Sequence, residues 1–117
     1  MNHNTALKWL EAINSGKYEH GGGALRLSEN CFCAYGVLAD FLDPNGWKLN
    51  EFGIYEWHGE TSKLPADWSK RCKMKSENGN FTADNGWKST LSNVNDGSVG
   101  WGWIYVKTII KKYYEQL

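Results

Sequence analysis

The chain has two prolines and no apolar run longer than a few residues. A helical membrane span needs roughly 20 consecutive apolar residues, so none is expected. Met1 to Ala12 lacks the basic-then-apolar order of a secretory leader, which removes export from the expectations as well. A disulfide framework is also missing. Cys31, Cys33 and Cys72 are odd in number and irregularly spaced, so free thiols in a reducing cytoplasm are expected. Nor is there an excess of charge: thirteen basic and thirteen acidic side chains cancel, whereas a protein that grips duplex nucleic acid by neutralising phosphates is usually basic. Duplex binding is therefore not expected.

What is abundant is aromatic. Seven Trp, six Tyr and four Phe occur in 117 residues, enough chain for one domain that buries somewhat under about 70% of its unfolded surface. The balanced charge hides a local asymmetry. Glu29, Asp40, Asp43, Glu51, Glu56 and Glu60 face only Lys48, and then Lys63, Lys70, Arg71, Lys73 and Lys75 face only Asp67. The basic segment is either a solvated loop or an anion-attracting patch.

Hydrophobic spacing locates the elements. Ala6, Trp9, Leu10 and Ile13 recur at three and four residues, with Asn4 or Thr5 as cap and Gly16 as left-handed stop, which predicts a first helix. Gly21-Gly22-Gly23 predicts a loop, and alternation in Ala24-Leu25-Arg26-Leu27 a short strand. Cys33, Val37 and Phe41 on one line, with Phe32, Leu38 and Leu42 beside it, predict a buried helix from residue 30 or 31 to 42, with Gly36 admitting a close neighbour. Trp47 to Trp57 predicts one or two strands, and Leu64 to Cys72 a short helix. Glu77-Asn78-Gly79-Asn80 is a turn signal suited to joining the arms of a hairpin. Val99, Trp103, Val106, Ile110, Tyr113 and Leu117 predict a closing helix capped by Ser98 and delayed by Gly100 and Gly102. Asn45-Gly46-Trp47-Lys48 recurs as Asn85-Gly86-Trp87-Lys88, but the flanking residues do not match, so two independent turns are expected rather than a duplication. The resulting expectation is a single α+β domain over residues 1–117. It has helices at both ends and after residue 30, and a small antiparallel sheet from the middle of the chain.

Three blocks carry a resemblance: Trp9-x-x-Ala12-Ile13-x-Ser15-Gly16-x-Tyr18, Gly23-Ala24-Leu25-Arg26, and Phe32-Cys33-Ala34-Tyr35-Gly36-Val37-Leu38-Ala39-Asp40. Together they resemble a family of small phage and prophage proteins with a Trp, Ala-Leu, Ser-Gly and Tyr block, a Gly-x-Leu-Arg segment and a Cys-Leu-Gly-Val-Leu helix. Asn95-Asp96-Gly97 is similar to that family's closing Asn-Asp turn. The chain departs from the pattern at Cys33-Ala34-Tyr35, where Cys-Cys-Leu is usual, and matches nowhere between His58 and Trp87. The resemblance implies a phage-type setting and carries no catalytic residue. Small phage proteins of this kind are often anti-defence factors that bind a host protein or sequester a signalling nucleotide.

Candidate chemistry is sparse. Cys31, Cys33, Cys72 and His58 have the atoms of a zinc site, but the spacing lacks a second tight pair, so packing thiols and no metal are expected. A nucleophilic cysteine would need His3, His20 or His58 as base, and Cys33 falls on an apolar helix face that disfavours the thiolate. The triple glycine with Arg26 has the atoms to cradle a phosphate, and also those of an ordinary connector. Aromatics beyond the needs of a core this small point to stacking on a nucleobase or anchoring a protein. The candidate ligand residues are Tyr18, Arg26, Tyr55, Trp57 and Trp87, with Lys70 and Arg71 for a phosphate. The expected function is non-enzymatic capture of a nucleotide-like immune signal, with no cofactor. The alternatives are inhibition of a host effector such as a CRISPR nuclease, the acidic stretch imitating nucleic acid, and a cysteine-dependent hydrolase. Expected partners are the nucleotide-like ligand or a host defence protein, and a second copy of the chain as homodimer.

Overall fold

The computed structural model describes residues 1–117 as one α+β domain. Its first helix, α1 (His3–Asn14), buries Ala6, Trp9 and Ile13, the stripe that the spacing predicts, and ends in Ser15 and a left-handed Gly16. The cap is Asn2 rather than Asn4 or Thr5: its side chain accepts the Asn4 N–H. Trp9 is fully buried and its indole N–H donates to the Ala34 carbonyl at 2.8 Å, fixing α1 against the next helix. Complete burial of such a side chain contributes about 1.5–3 kcal/mol.

That second helix, α2 (Ala34–Leu42), starts later than its apolar spacing suggests. Residues 31 and 32 are instead extended as β2 (Cys31–Phe32), parallel to β1 (Glu19–His20). Their backbone groups are taken by neighbours: the Leu27 N–H donates to the Cys31 carbonyl and the Gly21 N–H to the Phe32 carbonyl. Hydrogen bonds from distant residues thus override helical periodicity. The predicted strand at residues 24–27 is reduced to a single bridge between Arg26 and Phe32. Cys33, expected on the helix's apolar face, is its N-cap, with Sγ accepting the Gly36 N–H at 3.4 Å. Gly36 does what its position suggests: a Cβ there would fall on the Leu25 carbonyl, so the helix and the 24–27 segment touch backbone to backbone.

The aromatic middle forms an antiparallel pair, β3 (Trp47–Leu49) and β4 (Tyr55–Trp57), with Trp47 opposite Trp57. A short helix, α3 (Ala66–Arg71), follows Pro65 as expected. The next hairpin pairs β5 (Asn80–Thr82) with β6 (Lys88–Thr90), and its turn is Asn85-Gly86 rather than the Asn78-Gly79 signal. Gly79 is instead packed against Tyr35, Leu91 and Leu117. The single small sheet expected from the middle of the chain is therefore two separate antiparallel ladders, and the parallel pair β1–β2 forms a third. Asn45-Gly46 leads from α2 into β3 while Asn85-Gly86 closes a hairpin, so the two echoes serve different local structures.

The closing helix is also corrected. Thr90 caps α4 (Leu91–Gly97), and Ser98 ends it instead of starting a long helix. Gly100 and Gly102, both at positive φ, carry the chain round to α5 (Ile104–Tyr113), where Val106, Ile110 and Tyr113 keep the predicted buried spacing and Val99 lies exposed outside it. Trp9, Leu25, Val37, Leu38, Trp57, Leu91, Val106, Ile110 and Leu117 join these elements in one core. Replacing Gly36 by Ala should cost at least about 2 kcal/mol, since a methyl group there forces two backbones apart. Urea unfolding with an unchanged midpoint would show the contact to be unimportant.

Candidate functional site

The predicted ligand residues divide among three places. Tyr18 is buried, its ring edge-on to Phe32 at 4.9 Å, and its hydroxyl donates to Asp40 Oδ2 at 2.6 Å. Burial, reinforced by that hydrogen bond, raises its pKa far above the ordinary phenol value. Arg26 lies over three rings, Tyr55 at 4.3 Å, Phe32 at 4.8 Å and Trp47 at 5.3 Å from their centroids. Its Nε donates to the Ser28 carbonyl and one terminal nitrogen to the Glu29 carbonyl. These bonds hold the guanidinium to its own loop. Trp57 is fully buried, with its indole N–H on the Asp43 carbonyl. Tyr18, Arg26, Tyr55 and Trp57 thus belong to one aromatic box that braces β3 and β4 against α2. Lys70 and Arg71 are exposed on α3, where Arg71 sits 4.4 Å from the Trp68 ring. Trp87 stands apart from both groups.

Two polar side chains that carried no ligand expectation organise the molecule. Asp40 is buried within the apolar α2, where it accepts from the Tyr18 hydroxyl, the Trp47 indole N–H and Lys17. A lone carboxylate in an otherwise apolar helix is the signal that identifies it. Asn95, on α4, is nearly inaccessible and fully engaged. Its Oδ1 accepts the Ala34 N–H at 2.9 Å and pairs with His20 Nε2 at 2.9 Å, while its Nδ2 donates to the Gly21 carbonyl and Asp96 Oδ1. Nothing in the local sequence distinguishes it from the other asparagines. The triple glycine is consequently a docked segment: a Cβ at Gly21 would strike Cys31 Sγ and one at Gly22 would strike Asp96 and Val99.

Cysteine chemistry has little support in this arrangement. Burial pushes the Cys33 thiol up to about 11, outweighing the Gly36 and Tyr35 N–H groups that favour its thiolate. Burial raises the Cys31 and Cys72 thiols as well. His20, the nearest histidine along the chain to Cys31 and Cys33, is turned to Asn95 and packed at a tilt against Trp103, ring centroids 4.4 Å apart, and its Nδ1 is buried without a partner. His58 is held by Asp43 at 2.8 Å. No three His, Cys, Asp or Glu side chains converge on a common point.

The exposed aromatics gather elsewhere. Trp87, Val94, Ser98, Trp101, Tyr105 and Ile109 line an open groove of about 420 Å³ between the β5–β6 turn, α4 and α5. Trp101 is 72% exposed, Tyr105 53% and Trp87 52%. Contiguous exposure on this scale is a mark of binding surfaces. Positive-φ Gly100 and Gly102 flank Trp101, and the Trp101 N–H on the Ser98 carbonyl holds the turn that directs it outward. Lys112 lies one helical turn beyond Thr108 and Ile109, and 2.8 Å from Asp84 in the turn that carries Trp87. Of the sequence candidates only Trp87 is here. Trp101 and Tyr105 carry no ligand expectation; the signal for Trp101 is its part in the aromatic excess, and for Tyr105 its position off the buried stripe of α5.

Iodoacetamide at pH 7 should leave Cys33 unmodified in the folded protein. Because a raised pKa means that thiolate appears only as pH climbs toward about 11, labelling should increase with pH up to unfolding. Peptide mass spectrometry that finds Cys33 stoichiometrically alkylated at pH 7 would contradict this.

No curated protein and no solved structure matches the chain. A family described as a domain of unknown function, DUF8296, matches it over residues 1–113. The match takes in β1, the docked glycines, Asn95 and the whole aromatic groove, so the chain belongs to the DUF8296 family.

Proposed function

We propose that this chain is a non-enzymatic binding protein that captures a nucleotide-like signalling molecule in its aromatic groove. The observation that carries the reading is the gathering of Trp87, Trp101 and Tyr105, three solvent-open rings, on one groove. Flat rings stack on any nucleobase, each worth about 1–3 kcal/mol. Lys112, one helical turn beyond the Thr108 and Ile109 of the groove lining, supplies a cation for a phosphate, exchanging an exposed Asp84 partner that contributes little on its own. Ser98 Oγ and Thr108 Oγ1 donate to carbonyls of their own helices, so a base would be stacked without its edge being read. The resemblance of the sequence to small phage proteins supports an anti-defence role in the cytoplasm of an infected host.

A second reading, docking on a host defence protein, is favoured by the size of the exposed Trp101, Tyr105 and Trp87 side chains. Tryptophan and tyrosine are the usual anchors of such interfaces. Nucleic-acid imitation by the acidic stretch has less support. Asp40 is buried, Asp43 pairs with His58, and Glu56 accepts from Asn50.

Titrating cyclic mononucleotides, cyclic dinucleotides and adenosine diphosphate compounds should quench tryptophan fluorescence and raise the melting temperature for at least one of them. Trp101→Ala should weaken that ligand about tenfold or more. Asp84→Asn should strengthen it by freeing Lys112. Arg26→Ala should lower stability without removing binding, and the ligand should be recovered intact. Silence across the panel with co-purification of a host protein would favour the second reading, and recovery of cleaved nucleotide would overturn both.

A further inference from the structure

A separate cleft of about 200 Å³ opens between the start of α2, the 77–78 segment and α4. Its walls are polar and carry both signs of charge, Lys63 against Glu77 and Asp96, along with Ser62, Asn78 and Ser92. Lys63 and Glu77 meet at 2.8 Å while remaining about half exposed. Asp96 spends Oδ1 on the Gly23 N–H and on Asn95, and its Oδ2 has no hydrogen bond. Tyr35 also lines the cleft. Its hydroxyl is buried with no hydrogen-bond partner and lies against Gly79, next to Asn78 of the cleft wall. An unpaired buried hydroxyl is costly and uncommon, and this one lies behind the cleft wall. The start of α2 itself is already satisfied by Cys33 and Asn95 and offers no free anion site.

We infer that this cleft binds a small zwitterion of the amino-acid type, with Lys63 on its carboxylate and Glu77 on its ammonium group. The exchange conserves charge pairing. A carboxylate that draws Lys63 away leaves Glu77 without its cation, and the ligand's own ammonium group fills the position that Lys63 leaves. An anion alone would strand Glu77, and a cation alone would face Lys63. The exposed Lys63–Glu77 pair is worth at most about 1 kcal/mol, so opening it is a small cost. Ser62, Asn78 and Ser92 then meet a polar side chain, which favours serine- or glutamine-like molecules over apolar ones.

The test uses the full chain, with amide NMR spectra recorded during titration by L-serine and L-glutamine and, separately, by acetate and methylamine. The expected result is saturable movement of the Tyr35 and Asn78 resonances with an amino acid and none with either half-molecule at equal concentration. Lys63→Met and Glu77→Gln should each weaken binding about tenfold or more, the size of a lost charge-assisted hydrogen bond, while leaving the melting temperature nearly unchanged. No saturable response to either amino acid, an equal response to acetate alone, or unweakened binding in both variants would overturn the inference.

Discussion

The Asn95 side chain holds the parts of this molecule in register. Its amide reaches the Ala34 N–H at the head of α2, the His20 ring on β1, the Gly21 carbonyl and the neighbouring Asp96. A carboxamide has an acceptor with two lone pairs and two donor hydrogens, and here all four are used. With Oδ1 accepting from Ala34, the bond to His20 requires Nε2 to be the protonated nitrogen. No other residue type supplies this combination at that length. Aspartate would set a carboxylate oxygen against the Gly21 carbonyl, and leucine would leave both the Ala34 N–H and the Gly21 carbonyl buried and unpaired.

The same clamp relates the two surfaces to which function is assigned. One side of α4, through Ser92, Asn95 and Asp96, walls the polar cleft, and the other, through Val94, Gly97 and Ser98, floors the aromatic groove. Displacing α4 would disturb both. Asp40 is the second fixed point, tying Tyr18, Lys17 and Trp47 to α2 and so holding the β3–β4 pair against the helix. Buried polar groups that are fully paired specify one arrangement of elements where apolar packing alone tolerates several. A domain with three two-residue or three-residue ladders has little sheet to set its geometry, which leaves that task to these side chains.

Much of this architecture was legible in the sequence wherever one element's own periodicity decides the outcome. The α1 stripe, the Gly16 stop, the tight approach at Gly36 and the Val106-Ile110-Tyr113 face all follow from local spacing. The errors fall where distant partners decide. Cys31 and Phe32 fit a helical stripe, yet their backbone groups pair with residues 19–21 and 27. Residues 91–97 hold few apolar side chains and conceal a helix whose Leu91 and Asn95 are buried by other elements. Among the candidate ligand residues, Arg26 read as a free cation because its bonds go to backbone carbonyls, which no side-chain pattern reveals. Trp57 and Trp101 are chemically alike, and their opposite fates depend on β4 lying beneath Trp68 and Trp47 while two glycines turn Trp101 outward.

The hold of one amide on β1, α2 and α4 is tested most directly by the stability of Asn95→Ala beside that of Asn93→Ala, an exposed asparagine on the same helix. Urea unfolding should show a loss of about 2–4 kcal/mol for Asn95→Ala, because two buried backbone groups and a histidine lose their partner. Asn93→Ala should change stability by no more than about 0.5 kcal/mol. Equal and small effects at the two positions would contradict the central role given to Asn95.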